Sequence, residues 1–134
     1  MAYWLLKTEP KEFSFEDLQR SGVATWDGVT NNLALIHIRS MKKGDLAFIY
    51  HSGAEKSVTG LAEITTNPYP DPKANDKGLA VIDLKAKQVF KRKVTLAEIK
   101  AMKEFATLAL VRISRLSVMP VPDPLAKLLL TLTK

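Results

Sequence analysis

Trp26-Asp27-Gly28-Val29-Thr30-Asn31-Asn32 reads as a tight turn with an indole at one end and two carboxamides at the other. Before it lies a brief strand, and after it the chain becomes continuously apolar and helical in length, so sheet gives way to helix here. Gly28 supplies a backbone angle that other residues resist. An indole offers a flat apolar surface, and a carboxamide sets a donor beside an acceptor. Together they match the face and edge of a planar heterocycle. The same residues also suit an ordinary fold, with Trp26 as a core anchor and Asn31 as a helix N-cap. Both uses draw on Asn31, and the adjacent Asn32 eases the conflict because one can cap while the other faces a ligand.

Working outward, residues 23–26 form the strand entering the turn and residues 3–7 an earlier one. That first strand ends at Lys7-Thr8-Glu9-Pro10, where the proline pushes its predecessor away from helix. Ser14 precedes Asp17 by three residues, a relative of the capping box, and opens a short helix over 15–20 closed by Gly22. Beyond the turn, Leu33, Ala34, Leu35, Ile36, Ile38 and Met41 predict a largely buried helix ending near Lys42-Lys43-Gly44-Asp45. Residues 46–50 and 58–65 read as a hairpin in which Gly60 marks a bulge or a close approach. A long loop over 67–78 surrounds Tyr69-Pro70-Asp71. A strand over 79–90 then reaches the basic run Lys91-Arg92-Lys93.

Thr95-Leu96-Ala97-Glu98 is a full capping box and predicts a helix over 96–103. Residues 108–112 and 116–121 read as closing strands kinked at Ser114-Arg115. Asp123-Pro124 supplies an N-cap and a first-turn proline for a helix over 124–132. Five or six strands with short interposed helices predict one α+β domain over residues 1–134, built on a curved, partly closed sheet.

At 134 residues the chain buries a core without disulfides or metals. No cysteine is present, which excludes a disulfide framework and thiol catalysis and fits a reducing cytoplasm. The first apolar run is too short for a signal peptide, and no stretch approaches membrane-spanning length. A soluble protein without a membrane partner is expected, with a monomer as the default. The net charge of +6 is lopsided. Residues 1–67 hold seven Lys and Arg against eight Asp and Glu, net −1, and residues 68–134 hold thirteen against six, net +7. An anionic partner such as nucleic acid suits that surplus, although a merely solvated surface carries the same charge.

Catalytic constellations are each missing a member. His51 and Ser52 are adjacent in an extended segment and point to opposite faces. The other histidine, His37, lies in the apolar helix. Two histidines and no cysteine offer no metal-ligand spacing, and the six glycines form no phosphate-binding loop. Binding without chemistry, metal or cofactor is the expectation. Lys42-Lys43, Lys91-Arg92-Lys93, Arg112 and Arg115 are candidate phosphate contacts. Tyr50 and Tyr69 are candidate aromatic walls.

Taken in order, YWLLKTEP at 3–10, FSFEDL at 13–18, WDGVTN at 26–31, MKKGD at 41–45, YHS at 50–52, YPDP at 69–72, VTLAEIK at 94–100 and RLSVMPV at 115–121 resemble the EVE domain family. The resemblance covers essentially the whole chain. It implies a PUA-like fold, a curved β-barrel flanked by helices and related to YTH domains. It also implies a non-enzymatic reader of modified bases, notably modified cytosines in DNA, or a modified base in RNA. Carried over by motif, Lys7, Thr8, Trp26, Asn31, His51 and Ser52 line the base pocket. Tyr50 adds to its wall, and Arg115 and Ser117 of RLSV lie near its floor. A flipped base would stack on Trp26, with basic residues on the flanking phosphates. Thr30 stands where relatives carry arginine, and Leu33, Leu35 and Ile36 are apolar where relatives are often polar, which removes a cation from this helix. A small-molecule sensor or enzyme with a nucleobase-like ligand in the same pocket is the alternative, and an interaction module with a vestigial pocket is a third reading.

Overall fold

The computed structural model describes residues 1–73 and 78–134. Seven strands form one mixed sheet: β1 (Tyr3–Thr8), β2 (Val23–Trp26), β3 (Leu46–His51), β4 (Ser57–Ile64), β5 (Tyr69–Pro70), β6 (Ala80–Thr95) and β7 (Val118–Val121). The spatial order is β2-β6-β4-β3-β1-β7, with the two-residue β5 paired to the start of β6. Only β1 and β3 run parallel, from Tyr3 opposite Leu46 to Thr8 opposite His51. A parallel pair requires a long crossover. Here it consists of α1 (Phe15–Ser21), β2 and α2 (Asn32–Ser40). The Trp26–Asn32 turn therefore sits on the crossover that joins the one parallel pair.

The sheet is not closed by hydrogen bonds, since β2 and β7 end it without pairing to each other. Helix α2 packs on both β6 and β7 and so spans that gap. It buries Ala34, Leu35 and Ile38 but leaves Leu33 40% and Ile36 55% exposed. The expected largely buried helix is thus one-sided: its apolar run is longer than the face it presents to the sheet.

Local signals account for most boundaries. Both capping boxes form in full, Ser14 with Asp17 ahead of α1 and Thr95 with Glu98 ahead of α3 (Leu96–Ala101). Asn31 caps α2, its Oδ1 accepting from the Ala34 N–H at 3.0 Å. Three expectations are corrected. Residues 109–112 are one helical turn, α4 (Ala109–Arg112), where a strand was expected, because a four-residue apolar run carries no periodicity that separates the two. Helix α5 (Asp123–Leu132) starts after Pro122, so Asp123 lies in its first turn and does not cap it. The Lys91-Arg92-Lys93 run belongs to β6, which continues to Thr95 with Phe90 and Val94 turned inward. Two register shifts against β4 break the alternation that would have revealed this. Of the expected loop over 67–78, residues 69–70 are β5, and residues 74–77 lie outside the described residues.

One buried carboxylate ties the start of the sheet together. Asp45 is 5% exposed and accepts from the Ala2 N–H at 3.0 Å, the Trp4 indole N–H at 3.0 Å and the Lys42 N–H at 2.9 Å. Burial pushes its pKa upward, but these three hydrogen bonds and the nearby N-terminal charge outweigh it and hold the carboxyl below its ordinary value. Asp45→Ala is expected to cost about 2–3 kcal/mol at neutral pH, measured by denaturant unfolding, because the buried indole loses its acceptor. A depressed carboxyl stabilises the fold above its unfolded pKa and loses that contribution as pH falls through the folded value. The wild-type advantage should therefore shrink below about pH 4.

Candidate functional site

The C-terminal end of β1, the loop after it, β2 with its turn, and the residue before β7 enclose a cavity of about 520 Å³. Lys7 and Thr8 come from the first of these, Trp26 and Asn31 from the turn, and Ser117 from the last. The enclosure is held by short-range bonds. The Lys7 N–H donates to the Ser117 carbonyl at 2.9 Å, and the Thr8 hydroxyl donates to the Phe13 carbonyl at 2.6 Å. The Phe13 ring meets the Trp26 indole edge-on, with centroids 6.1 Å apart. Trp26 is 9% exposed, and that remaining surface lines the cavity. Gly28 has φ +77°, the left-handed backbone that folds the turn over the opening. Asn31 spends its carboxamide oxygen on the cap of α2, and the residue also lines the cavity.

The wall is acidic in a way the motif reading missed. Glu9, Glu12 and Asp27 line the cavity against a single cation, Lys7. The ammonium of Lys7 donates to the Ser114 carbonyl at 2.8 Å and lies 5.8 Å from the centre of the Tyr50 ring. Burial lowers its pKa from the ordinary lysine value. Glu9 and Asp27 flank the recognised residues directly in KTEP and WDG, Glu12 follows two residues after KTEP, and only their convergence in space shows their common direction.

Four of the expected pocket residues stand elsewhere. Tyr50, Ser52 and Arg115 line a second cavity of about 340 Å³, which shares Lys7 with the first. His51 lines neither cavity. It is 2% exposed, with Nε2 accepting from the Phe15 N–H at 3.0 Å and Nδ1 at 3.1 Å from the Glu55 carboxylate. Those partners place its proton on Nδ1 and make it a fastener between β3 and α1.

None of the other expected phosphate contacts lines either cavity. Lys42 and Lys43 precede β3, roughly 17 Å or more from Thr8 at the far end of β1. On β6, Ile82 pairs with Trp26, which puts Lys91, Arg92 and Lys93 about 30 Å farther along the strand. Arg92 is paired with Glu98 and Lys93 with Glu55 at 3.3 Å. Arg112 is exposed at the end of α4. Tyr69 lines a separate shallow depression and donates to Asp83 at 2.6 Å. Among the described residues no cluster of three or more His, Cys, Asp or Glu is placed to hold a metal ion, and no helix is long and apolar enough to cross a membrane.

Comparison with known proteins gives consistent matches along the chain. The family model of the EVE domain matches residues 2–132. Thymocyte nuclear protein 1 of Mus musculus is 34% identical over 124 residues, covering 73% of this chain and 55% of that protein. The chain spans about half the length of the curated relatives it matches. The solution structure of Rpa0253 from Rhodopseudomonas palustris is similar with a TM-score of 0.94 and 40% identity, covering 99% of this chain and 93% of that one. Human THYN1 in complex with 5-methylcytosine-containing DNA is similar with a TM-score of 0.92 and 27% identity, covering 100% and 98%.

The cavity wall depends on how α1 is seated, and one glycine sets that seat. A Cβ on Gly60 would lie 2.5 Å from atoms of the Phe15 ring, and the backbone there is not left-handed. Gly60→Ala should therefore destabilise the protein by about 1–3 kcal/mol through overpacking alone. A double-mutant cycle with Phe15→Leu, read by denaturant midpoint, should recover part of that loss.

Proposed function

The chain belongs to the EVE domain family, and from that premise we propose that it is a non-catalytic reader of a modified base, turned out of its strand into the cavity beside Trp26. The observation that carries the reading is the make-up of that cavity: an indole face, an edge-on phenyl ring and a rim of hydrogen-bonding groups drawn from four separate segments. At about 520 Å³ it has the size of a small-molecule pocket and admits a nucleobase. The reading includes a PUA-like barrel in which α2 bridges the gap that hydrogen bonds leave open.

The chemistry of the wall favours an amino base over an oxo base. Glu9, Glu12 and Asp27 are acceptors, and carboxylates pair with the exocyclic amine of cytosine. Thymine presents an oxygen at that position and would face them acceptor to acceptor. The carboxamide nitrogen of Asn31 and the ammonium of Lys7 supply donors for the ring nitrogen and oxygen of cytosine. A 5-methyl group would lie against Phe13 and Val29, which also line the cavity. The human relative in complex with 5-methylcytosine-containing DNA directs the choice toward DNA.

Short oligonucleotides with 5-methylcytosine, cytosine or thymine at one position test this, followed by the Trp26 indole N–H resonance. The Trp4 indole, bonded to Asp45, is the internal reference. The methyl group should tighten binding about fourfold over cytosine, from roughly 0.8 kcal/mol per buried carbon. Trp26→Ala should weaken it about 5- to 100-fold through lost stacking, and Trp26→Phe, which keeps an aromatic anchor, should weaken it less. Equal binding to all three sequences, indifferent to both variants, would overturn the proposal. Binding of free 5-methylcytosine that outcompetes every oligonucleotide and ignores ionic strength would favour a small-molecule sensor instead.

A further inference from the structure

The second cavity has the opposite electrical character to the first. Four cations line it, Lys7, Lys56, Lys100 and Arg115, and no carboxylate does. Four basic side chains outside it are paired with carboxylates, Arg20 with Asp17, Lys87 with Glu63, Arg92 with Glu98 and Lys93 with Glu55. None of the four lining cations has an ion-pair partner among the described residues. Four like charges converging on one depression repel each other, a cost that an anion between them removes.

The backbone is shaped to produce that convergence. Lys56 has φ +49°, and it is the only residue other than glycine with positive φ among the described residues. A side chain resists that conformation by about 1–2 kcal/mol, and glycine or asparagine would adopt it more cheaply. The Lys56 carbonyl accepts from the Leu96 N–H at 2.8 Å, which fixes the β3–β4 turn to the start of α3. Lys100 lies one turn beyond Leu96, on the same face of the helix, and both line the cavity. Tyr50 and Ser52 add hydroxyls that donate to no protein group among the described residues.

We propose that this second cavity seats a backbone phosphodiester of the strand whose base occupies the first cavity, with Lys56, Lys100 and Arg115 closing around it and Lys7 standing between the two sites. The inference rests on the base-reading proposal for its geometry. It moves the phosphate contact away from the basic run of β6, where two of the three cations are already paired. A phosphodiester suits the site better than an isolated anion because Lys7 lines both cavities and sets them side by side, as a base and its own backbone are.

The test is the salt dependence of oligonucleotide binding by Lys56→Gln/Lys100→Gln, both exposed positions, beside a control Lys127→Gln/Lys134→Gln outside the cavity. Neutralising phosphate contacts should lower the slope of log affinity against log salt by about 1 to 2 in the first variant and leave it unchanged in the control. The ratio of 5-methylcytosine to cytosine affinity should be the same in both. An oligonucleotide with an abasic site at the read position separates this proposal from the one it rests on. If the base reading fails and the phosphate seat holds, abasic and methylated strands bind alike and the slope still falls. If the seat fails, the preference for 5-methylcytosine survives and the slope matches the control. Absence of binding to any strand, or shifts at Lys56 and Lys100 equally saturated by inorganic phosphate alone, would overturn the assignment to a backbone.

Discussion

The seating of α1 against β4 is the constraint on which the candidate site depends. Phe15 enters the sheet at Gly60, the one position of β4 where the absence of a side chain leaves room for a ring. Its N–H is received by the buried imidazole of His51. Apolar contact sets the distance, and the hydrogen bond sets the angle. Phe13 lies two residues upstream, so the same anchor delivers the phenyl ring that meets Trp26 and the carbonyl that receives the Thr8 hydroxyl. His51 is held in turn by Glu55, which also accepts from Ser57 and Lys93. A chain of contacts thus runs from the hairpin of β3 and β4 to the rim of the cavity.

Much of the fold was legible because local chemistry and global structure agree. Ser14 with Asp17, Asn31, and Thr95 with Glu98 start helices where their side chains can reach a free backbone N–H. Gly60 announced a close approach, although not that Phe15 would be what approached. The failures fall where the local signal is weak or broken. Four residues at 109–112 are too few to display a period, and the bulges of β6 hide a strand whose alternation is interrupted. The one-sidedness of α2 was illegible because Leu33 and Ile36 look no different in sequence from the buried Leu35 and Ile38.

The site was half legible for a different reason. Motif residues identify the segments that meet, and Lys7, Thr8, Trp26, Asn31 and Ser117 do share one cavity. Motifs do not say on which side of a strand a residue emerges. Tyr50, Ser52 and Arg115 open on the second cavity and His51 points into the core, although YHS is one continuous stretch. Lys56 and Lys100 carried no signal at all. They are brought together where the pairing of Ser57 with Thr95 between β4 and β6 continues into the backbone hydrogen bond from Leu96 to Lys56. The basic runs conspicuous in the sequence are instead remote from the cavities, and two members of the β6 run are paired.

The wall between the cavities is one carboxylate thick. The Glu9 side chain lies against Gly53, where a Cβ would come within 2.4 Å of its Oε2, and Gly53 lines the far side. An anionic group moving from the basic depression toward the indole would meet Glu9 at that wall, on the side that Glu12 and Asp27 also line. An uncharged ring meets no such barrier. The partition therefore separates an indole with acidic neighbours from a depression whose charged lining is all cationic. A nucleotide seated as proposed would have its base on the acidic side of that wall and its phosphate on the basic side.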